Sequence, residues 1–124
     1  MVKVGDVISW ERTFTIEDVR LFAQISQDQG IHHMEPDEQG RLLVHGLLAA
    51  TLPTKIGGQL NLLARDMNFR FSRPAYTGDL LHCDVIIRQV EQVYDYHKIA
   101  ADCVCKNQHG EEIFTAYFYG KKFY

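Results

Sequence analysis

The stretch Val44-His-Gly-Leu-Leu-Ala-Ala-Thr-Leu-Pro-Thr-Lys-Ile-Gly-Gly58 decides the fold, because most of its residues are apolar or small and charge is nearly absent until Lys55. A helix that is apolar on nearly all sides is buried, and this one is too short to cross a membrane. Pro53, which lacks a backbone donor, is expected to bend or interrupt the helix, and Gly57 and Gly58 are expected to end it. The sequence therefore predicts a buried central helix over about residues 44–58. Its large apolar residues are Val44, Leu47, Leu48, Leu52 and Ile56.

The second half of the chain has the pattern of a sheet that surrounds this helix. Residues 61–73 alternate, with Met67, Phe69 and Phe71 on one face and polar side chains on the other, which is typical of a strand. Long strands are also predicted over residues 80–94, 96–106 and 112–122. The predicted fold class is therefore α+β, with an antiparallel β-sheet wrapped around a central buried helix.

The first half of the chain contains an amphipathic helix and a polar loop. Residues 2–14 have the pattern of a short strand pair, or of a strand with a turn. Thr15 followed by Asp18 resembles a capping box, and apolar residues then recur at helical spacing over residues 16–26. Residues 27–40 show no periodicity and are predicted to form a loop. The loop is rich in titratable side chains, among them Asp28, His32, His33, Glu35 and Asp37.

Composition places the chain among ordinary globular proteins. It has 124 residues, 46% of them hydrophobic and 23% charged, which predicts one domain over residues 1–124. No secretory, transmembrane or transit segment is visible, so we expect a cytoplasmic location and no membrane partner. The net charge of -3 gives no footprint for nucleic acid. Cys83, Cys103 and Cys105 are interpreted as small buried residues in a reducing compartment.

The edges of the predicted sheet indicate an assembly. A single sheet around one helix leaves its outer strands with unpaired backbone groups, with which another chain can pair. A homodimer, or an oligomer built from dimers, would cover these edges, and we expect one on this ground.

Four short motifs occur in an order that matches a known family. Residues 22–28, Phe-Ala-Gln-Ile-Ser-Gln-Asp, look like a helix that ends in Ser-x-Asp, and residues 33–37, His-Met-Glu-Pro-Asp, look like the family's His-x-Asp-Pro-Glu. Residues 44–48, Val-His-Gly-Leu-Leu, look like its Val-His-Gly-Met-Leu, and residues 71–79 are similar to a Pro-to-Gly-Asp turn of the superfamily. Over nearly its whole length the chain resembles the MaoC-like family of (R)-specific enoyl-CoA hydratases, which has the hot-dog fold.

The resemblance implies a function and a set of site residues. Asp28 and His33 keep the family's five-residue offset and would be the catalytic acid–base pair that adds water reversibly to a 2-enoyl thioester. Gly46, near the start of the central helix, would be the backbone donor that stabilises the thioester oxygen. Thr51 would hold Asp28 or the water in position. His45 is grouped with these substrate-binding residues, and a structural role, buried and hydrogen-bonded or capping the helix, is its alternative.

The resemblance also implies the partner. The substrate would be an acyl-CoA or acyl-carrier-protein thioester, and neither an organic cofactor nor a metal is expected. His32-His33-x-Glu35 is an alternative metal motif. Adjacent residues in extended backbone point in opposite directions, so this spacing disfavours a shared metal ion.

Three alternatives to this function stay open at the level of sequence. Gly30 and Ile31 stand where the family has Asn-Pro, which predicts a looser loop and favours a non-catalytic protein that binds acyl thioesters. A hot-dog acyl-CoA thioesterase is the second alternative, although the central helix contains no Asp or Glu and Glu38 is the nearest upstream carboxylate. In the third, Asp28 serves only a local turn and His33 is a solvated loop histidine.

Overall fold

Five antiparallel strands form one sheet in the computed structural model, which describes residues 1–123. Tyr124, the last residue of the predicted domain range, lies outside the described residues. The strands are β1 (Val7–Thr13), β2 (Leu62–Phe71), β3 (Leu80–Val93), β4 (Tyr96–Lys106) and β5 (Glu112–Lys122). Their order across the sheet is β1-β3-β4-β5-β2, so β1 and β2 form the two edges.

The strand predictions are confirmed, with small differences at the ends. β4 and β5 have the predicted bounds, β3 ends one residue early, and β2 is shorter than the predicted 61–73 at both ends. Of the two patterns open for residues 2–14, the strand with a turn is the correct one. Gly5 takes a left-handed φ of 92° in that turn, and its amide donates to the carbonyl of Ile87 at 2.9 Å, which fastens the segment to β3.

Two helices precede the central one. α1 (Ile16–Ser26) has the predicted bounds, and its capping box is confirmed. The Asp18 amide donates to Thr15 Oγ1 at 3.1 Å, and the Thr15 amide donates to Asp18 Oδ2 at 2.9 Å. The prediction of a loop over residues 27–40 was wrong in part, because α2 (Ile31–Met34) forms one helical turn inside it. A single turn is too short for apolar periodicity to reveal it.

The central helix consists of two pieces, so the prediction of one helix over residues 44–58 was wrong in this respect. α3 (Gly46–Ala49) and α4 (Thr51–Gln59) are separated at Ala50. Pro53 explains the interruption, because it has no N–H to donate to the carbonyl four residues earlier. It stands in the first turn of α4, where a missing donor costs little, since the amides there have no partner within the helix.

The ends of the central helix also differ from the prediction. Val44 lies outside it, because its amide donates to the carbonyl of Ala75 at 2.8 Å. Gly57 and Gly58 lie within α4 and do not end it. The left-handed residue beyond the end of α4 is Asn61, with a φ of 54°, which is the type of residue that takes this role when glycine does not.

The core lies between α4 and the sheet, so the predicted sheet around a buried helix is confirmed. Leu52 and Ile56 of α4 are fully buried, and Leu48 and Ala49 bury the inner side of α3. Leu47, predicted as part of the apolar helix surface in the core, is 67% exposed, because the single turn of α3 covers the core from one side only. The sheet contributes Leu81, Val85, Ile87, Ile99, Ala101 and Phe118 to the same core.

Three free thiols lie in the core, which confirms that the cysteines are small buried residues. Cys83 Sγ lies 3.2 Å from Cys103 Sγ across β3 and β4. This contact and burial raise the pKa of the Cys103 thiol, and burial raises the pKa of Cys105 to about 12. The thiolate is the reactive form of cysteine, so the raised pKa lowers the reactivity of Cys103 and Cys105 in the folded chain.

The edge strand β2 is exposed along most of its length. Leu63 is 67% exposed, and Met67 and Phe71 are about half exposed. An edge with apolar side chains and free backbone groups is a surface on which another strand can pair. Within residues 1–123, every helix falls short of the length and apolar character needed to span a bilayer.

Candidate active site

His33 is the buried member of the predicted acid–base pair. It lies in α2, where its amide donates to the Gly30 carbonyl at 2.9 Å, and the whole residue is only 4% exposed. Its Nδ1 lies 2.6 Å from the carbonyl oxygen of Leu43. A carbonyl can only accept, so Nδ1 carries the hydrogen and Nε2 is the nitrogen free for chemistry. The alternative of a solvated loop histidine is therefore wrong.

Asp28 follows α1 and stands at the mouth of the site. Its own amide donates to Ser26 Oγ at 3.0 Å, and its Oδ1 accepts from the Gly30 amide at 3.3 Å. Its other carboxylate oxygen, Oδ2, lies 3.8 Å from Nε2 of His33, and its side chain is 58% exposed. The structure thus brings the two side chains together and keeps the carboxylate in contact with solvent.

His45 lies beneath this pair and is 2% exposed. Its Nε2 lies 2.9 Å from the main-chain carbonyl of Asp28, so Nε2 donates to that carbonyl. The His45 ring stacks on the ring of His33, with centroids 3.7 Å apart and planes 14° apart. Of the two structural alternatives, His45 is buried and hydrogen-bonded, and its side chain makes no capping bond to α3.

Gly46 is the first residue of α3. The first bonds inside that helix run from the amides of Leu48 and Ala49 to the carbonyl of His45, at 3.0 Å each. The amides of Gly46 and Leu47 precede them and, like the first amides of any helix, have no acceptor within it. These two N–H groups are therefore available to an oxygen placed at the start of α3.

The ring of Phe71 covers Gly46 closely. A Cβ atom at Gly46 would lie 3.2 Å from both Cε1 and Cζ of Phe71, which is tighter than an ordinary contact. A cavity of about 310 Å³ opens beside this pair, and Leu43, whose carbonyl holds His33, also lines it. Glycine is therefore the residue that lets the ring of Phe71 approach the start of α3.

Thr51 follows the break at Ala50 as the first residue of α4. Its hydroxyl donates to the carbonyl of Leu48 at 2.6 Å, a local bond across the break between α3 and α4. In this conformation Thr51 satisfies a carbonyl of the helix, and a contact with Asp28 or water stays a prediction.

Gly30 does not use its conformational freedom, because its φ of -54° is accessible to any residue. What its lack of a side chain permits is the close approach of His32, whose Cε1 would lie 3.0 Å from a Cβ atom at Gly30. The amide and the carbonyl of Gly30 are both bonded, to Asp28 and His33. The residues in place of Asn-Pro are thus part of a closed turn, where the sequence predicted a looser loop.

One cluster of metal-type ligands occurs among the described residues, and it is not the predicted His32-His33-x-Glu35 motif. Ligand atoms of Asp28, His33 and His45 lie within 4.8 Å of one another. A metal binds an imidazole in the plane of the ring, about 2.0–2.1 Å from the nitrogen. Two rings stacked face to face, 3.7 Å apart and nearly parallel, share no such point. The stacked arrangement therefore disfavours a common metal ion.

A second cavity, of about 270 Å³, lies between the end of α4 and the sheet. Its lining is almost wholly apolar and includes Ile56, Ile87 and Phe118. Gly57 and Gly58 also line it, and a Cβ atom built on either would meet no atom within 4 Å. The two glycines therefore leave free space at this point of the helix.

Solved structures of known proteins share this architecture. No family model matches the sequence. An (R)-hydratase from A. caviae involved in PHA biosynthesis superposes with a TM-score of 0.85 at 23% identity, over 99% of this chain and 98% of that one. A MaoC-like dehydratase from Rhodospirillum rubrum superposes with a TM-score of 0.78 at 16% identity, over 98% and 93% of the two chains. The chain has the hot-dog fold of the MaoC-like dehydratases and (R)-hydratases.

A curated sequence relative is by name also a dehydratase. The mitochondrial 3-hydroxyacyl-[acyl-carrier-protein] dehydratase of Arabidopsis thaliana is 30% identical over 86 residues. The match covers 64% of this chain and 52% of the relative, so the chain spans about half the length of the protein that it matches.

Two contributors to the site of this hot-dog chain were missing from the sequence analysis. Leu43 acts through its carbonyl, which any residue has, so the sequence carries no signal for it. Phe71 was predicted only as an apolar strand residue, and its contact with Gly46 joins residues 25 positions apart (71 minus 46). The glycine of the Val-His-Gly motif, Gly46, was the sequence signal for a group that approaches the backbone at the start of α3.

Proposed function

We propose that the chain is an (R)-specific enoyl-thioester hydratase that works in reverse as a 3-hydroxyacyl-thioester dehydratase. Asp28 and His33 are its acid–base pair. The observation that carries the proposal is the separation of 3.8 Å between Asp28 Oδ2 and His33 Nε2. This distance is too long for a direct hydrogen bond, and groups so spaced are suited to sharing one water.

The fixed ring of His33 supports the assignment. With Nδ1–H donated to Leu43, Nε2 is the nitrogen that faces the carboxylate and the reacting water. In the state with Asp28 ionised and His33 protonated on both nitrogens, the carboxylate accepts a proton from water and the imidazolium can donate one.

Hydration adds one water across the double bond of the enoyl group. The water oxygen forms a bond to the β-carbon while Asp28 takes its proton, and the π electrons of the double bond move toward the thioester. His33 donates the Nε2 proton to the α-carbon, and a proton passing from Asp28 to His33 restores the pair. Dehydration runs through the same steps in reverse, with the roles of acid and base exchanged.

The start of α3 suits the other half of the reaction. Negative charge develops on the thioester oxygen as water adds, and amide donors that need no rearrangement stabilise such charge. The amide of Gly46, and with it that of Leu47, would donate to this oxygen. Phe71 lines the cavity beside it and would cover one side of the thioester.

The apolar cavity at Gly57 and Gly58 suits the acyl chain. It is lined by hydrocarbon side chains and lies along the same helical segment as Gly46. A chain of medium length could reach from the start of α3 into this space, because α4 spans about 1.5 Å per residue. We therefore propose that the protein accepts substrates longer than crotonyl.

The carrier, the assembly and the location complete the proposal. The curated relative is by name a dehydratase of acyl-carrier-protein thioesters, so both CoA and acyl carrier protein are candidate carriers for this chain.

We propose a homodimer or an oligomer of dimers, supported by the exposed edge strand β2. A cytoplasmic location stays a prediction, and the free thiols of the core accord with a reducing compartment.

A double assay on one mixture tests the reaction. Purified protein is mixed with 2-enoyl thioesters of increasing chain length on CoA and on acyl carrier protein, and absorbance of the conjugated enoyl group is followed beside free thiol. Loss of the enoyl signal without thiol release is the expected result. Release of thiol identifies a thioesterase, and saturable binding with neither signal identifies a non-catalytic binder; either outcome overturns the proposal.

A further inference from the structure

His45 makes two contacts that tie the proposed catalytic pair to the core. Its Nε2–H donates to the main-chain carbonyl of Asp28 at 2.9 Å, and its ring lies face to face with the ring of His33 at 3.7 Å. The His45 ring also packs on Phe22 of α1, with centroids 4.9 Å apart and planes tilted by 57°. One buried side chain therefore contacts both members of the pair.

Asp28 needs a contact that fixes its position. Asp28 follows the end of α1 and its side chain is mostly exposed, so packing alone does not hold it. Gly30 and Ile31 add no buried side chain to the turn between Asp28 and His33, since Ile31 is 69% exposed. The bond from His45 fixes the backbone of Asp28 and hence the direction in which its carboxylate leaves the chain.

His45 uses only one of its ring nitrogens for hydrogen bonding. His45 Nδ1 is the one buried side-chain N or O atom without a hydrogen-bond partner in the part of the chain that the structure describes. The bond from Nε2–H to the carbonyl of Asp28 is therefore the polar contact that holds the His45 side chain.

We propose that His45 is a positioning residue, which aims Asp28 through its main-chain carbonyl and holds the ring of His33 by stacking, without touching substrate. This inference rests on the proposed function, because it gives His45 a role in the same reaction. It predicts that loss of the Nε2–H donor lowers kcat and leaves KM nearly unchanged.

The test compares two substitutions of the same residue. His45→Phe keeps an aromatic ring and removes the donor, whereas His45→Gln keeps an N–H donor at the end of its side chain. We expect kcat of His45→Phe to fall by about 10- to 100-fold, the effect of a small misplacement of catalytic groups, and His45→Gln to regain most of it. Phe22→Leu is the matched control, since it loosens the packing of His45 and leaves the bond to Asp28 in place. His45→Met replaces His45→Phe if the latter does not melt cooperatively.

Two results overturn the inference in the active enzyme. One is a donor-less variant with the wild-type kcat, and the other is a His45→Gln variant no better than His45→Phe. A merely structural role would instead lower the melting temperature and active fraction in proportion, with Phe22→Leu as damaging as His45→Phe.

A second readout is independent of activity. Nitrogen-15 spectra of the imidazole rings should show hydrogen on Nδ1 of His33 and on Nε2 of His45, and the His33 signals should shift in His45→Phe. If wild-type protein shows these signals and hydrates no substrate, the proposed function fails while the positioning contact stands. If the His33 signals do not change in His45→Phe, the positioning inference fails whatever the activity.

Discussion

At the scale of single residues, the water shared by Asp28 and His33 makes the sharpest prediction. Asp28→Asn should fold normally and lose about 10²- to 10⁴-fold in hydration rate, because the amide keeps the shape of the carboxylate but cannot take the proton. His33→Ala should lose a similar factor, and the double variant should be little worse than either, since residues that act as a unit are not additive. Rates on 2-enoyl-CoA substrates measure this.

His32→Ala is the control for that series. His32 is exposed, and its ring packs beside that of His33, with centroids 4.0 Å apart. Its variant should keep most of the activity. An inactive His32→Ala beside a healthy His33→Ala would contradict the assignment of the catalytic histidine.

The family resemblance, which includes the five-residue offset between Asp28 and His33, predicted that the two side chains act together. Contacts between distant segments were beyond the sequence. The bond from His45 to Asp28 joins residues 17 apart, and it fixes a backbone group, so no side-chain pattern announces it. Thr51 is the reverse case, because its hydroxyl donates to the backbone carbonyl three residues earlier, an acceptor that any sequence supplies.

At the scale of secondary-structure elements, α4 predicts the chain length of the substrate. Gly57→Leu should fill the apolar cavity and lower kcat/KM on long 2-enoyl thioesters by at least about tenfold, with little effect on crotonyl-CoA. Stability should not suffer, because leucine is a better helix former than glycine. Gln59→Leu adds the same side chain on the exposed side of α4 and serves as the control. Equal activity of Gly57→Leu on all chain lengths would remove the acyl chain from this cavity.

The pairing of β1 with β3 predicts a pH dependence of stability. The hydrogen bond from His82 to Asp84 (2.8 Å), assisted by Glu11, raises the pKa of His82 above 6.5 in the folded chain. A raised pKa means that the folded state binds the proton more tightly, so this stabilisation is full below pH 6.5 and is lost as the pH rises through the folded pKa. Melting temperatures should therefore fall more steeply between about pH 6 and 8 for wild type than for His82→Gln.

His109→Gln, in the exposed turn between β4 and β5, is the matched histidine control for this experiment. It should follow the wild-type curve. Parallel curves for wild type and His82→Gln would show that the carboxylates around His82 do not act on folding.

Element boundaries could be predicted where one face of a segment is buried. β4 and β5 alternate between buried and more exposed positions over residues 101–105 and 114–120. α1 begins with the Thr15–Asp18 capping box, which is recognisable in the sequence. The break in the central helix was harder to predict, because a segment that is apolar on nearly all sides has no polar face whose periodicity would change at the break. Pro53 indicated that the helix would be interrupted. The interruption lies at Ala50, and this position depends on which backbone carbonyl loses its hydrogen-bond donor.

At the scale of the whole molecule, the exposed edge strand predicts an assembly. Light scattering at micromolar concentration should give at least twice the mass of the chain, since β2 offers unpaired backbone groups and apolar side chains. Leu63→Lys should shift the mass toward the monomer, because a charge on an edge strand opposes pairing. Tyr94→Lys, at a hairpin position that is 95% exposed, is the control. A monomeric wild type would contradict the prediction.

The three core thiols have a practical consequence at this same scale. Because Cys83, Cys103 and Cys105 are buried, a thiol reagent can modify them only when the sheet opens. The rate of modification therefore measures the rate of global unfolding without any introduced label. The same chemistry enters the assay that separates hydration from thioester cleavage. Every chain that unfolds during that assay releases up to three equivalents of colour, so a slow signal that saturates at three per chain measures denaturation, and only a signal beyond it measures turnover.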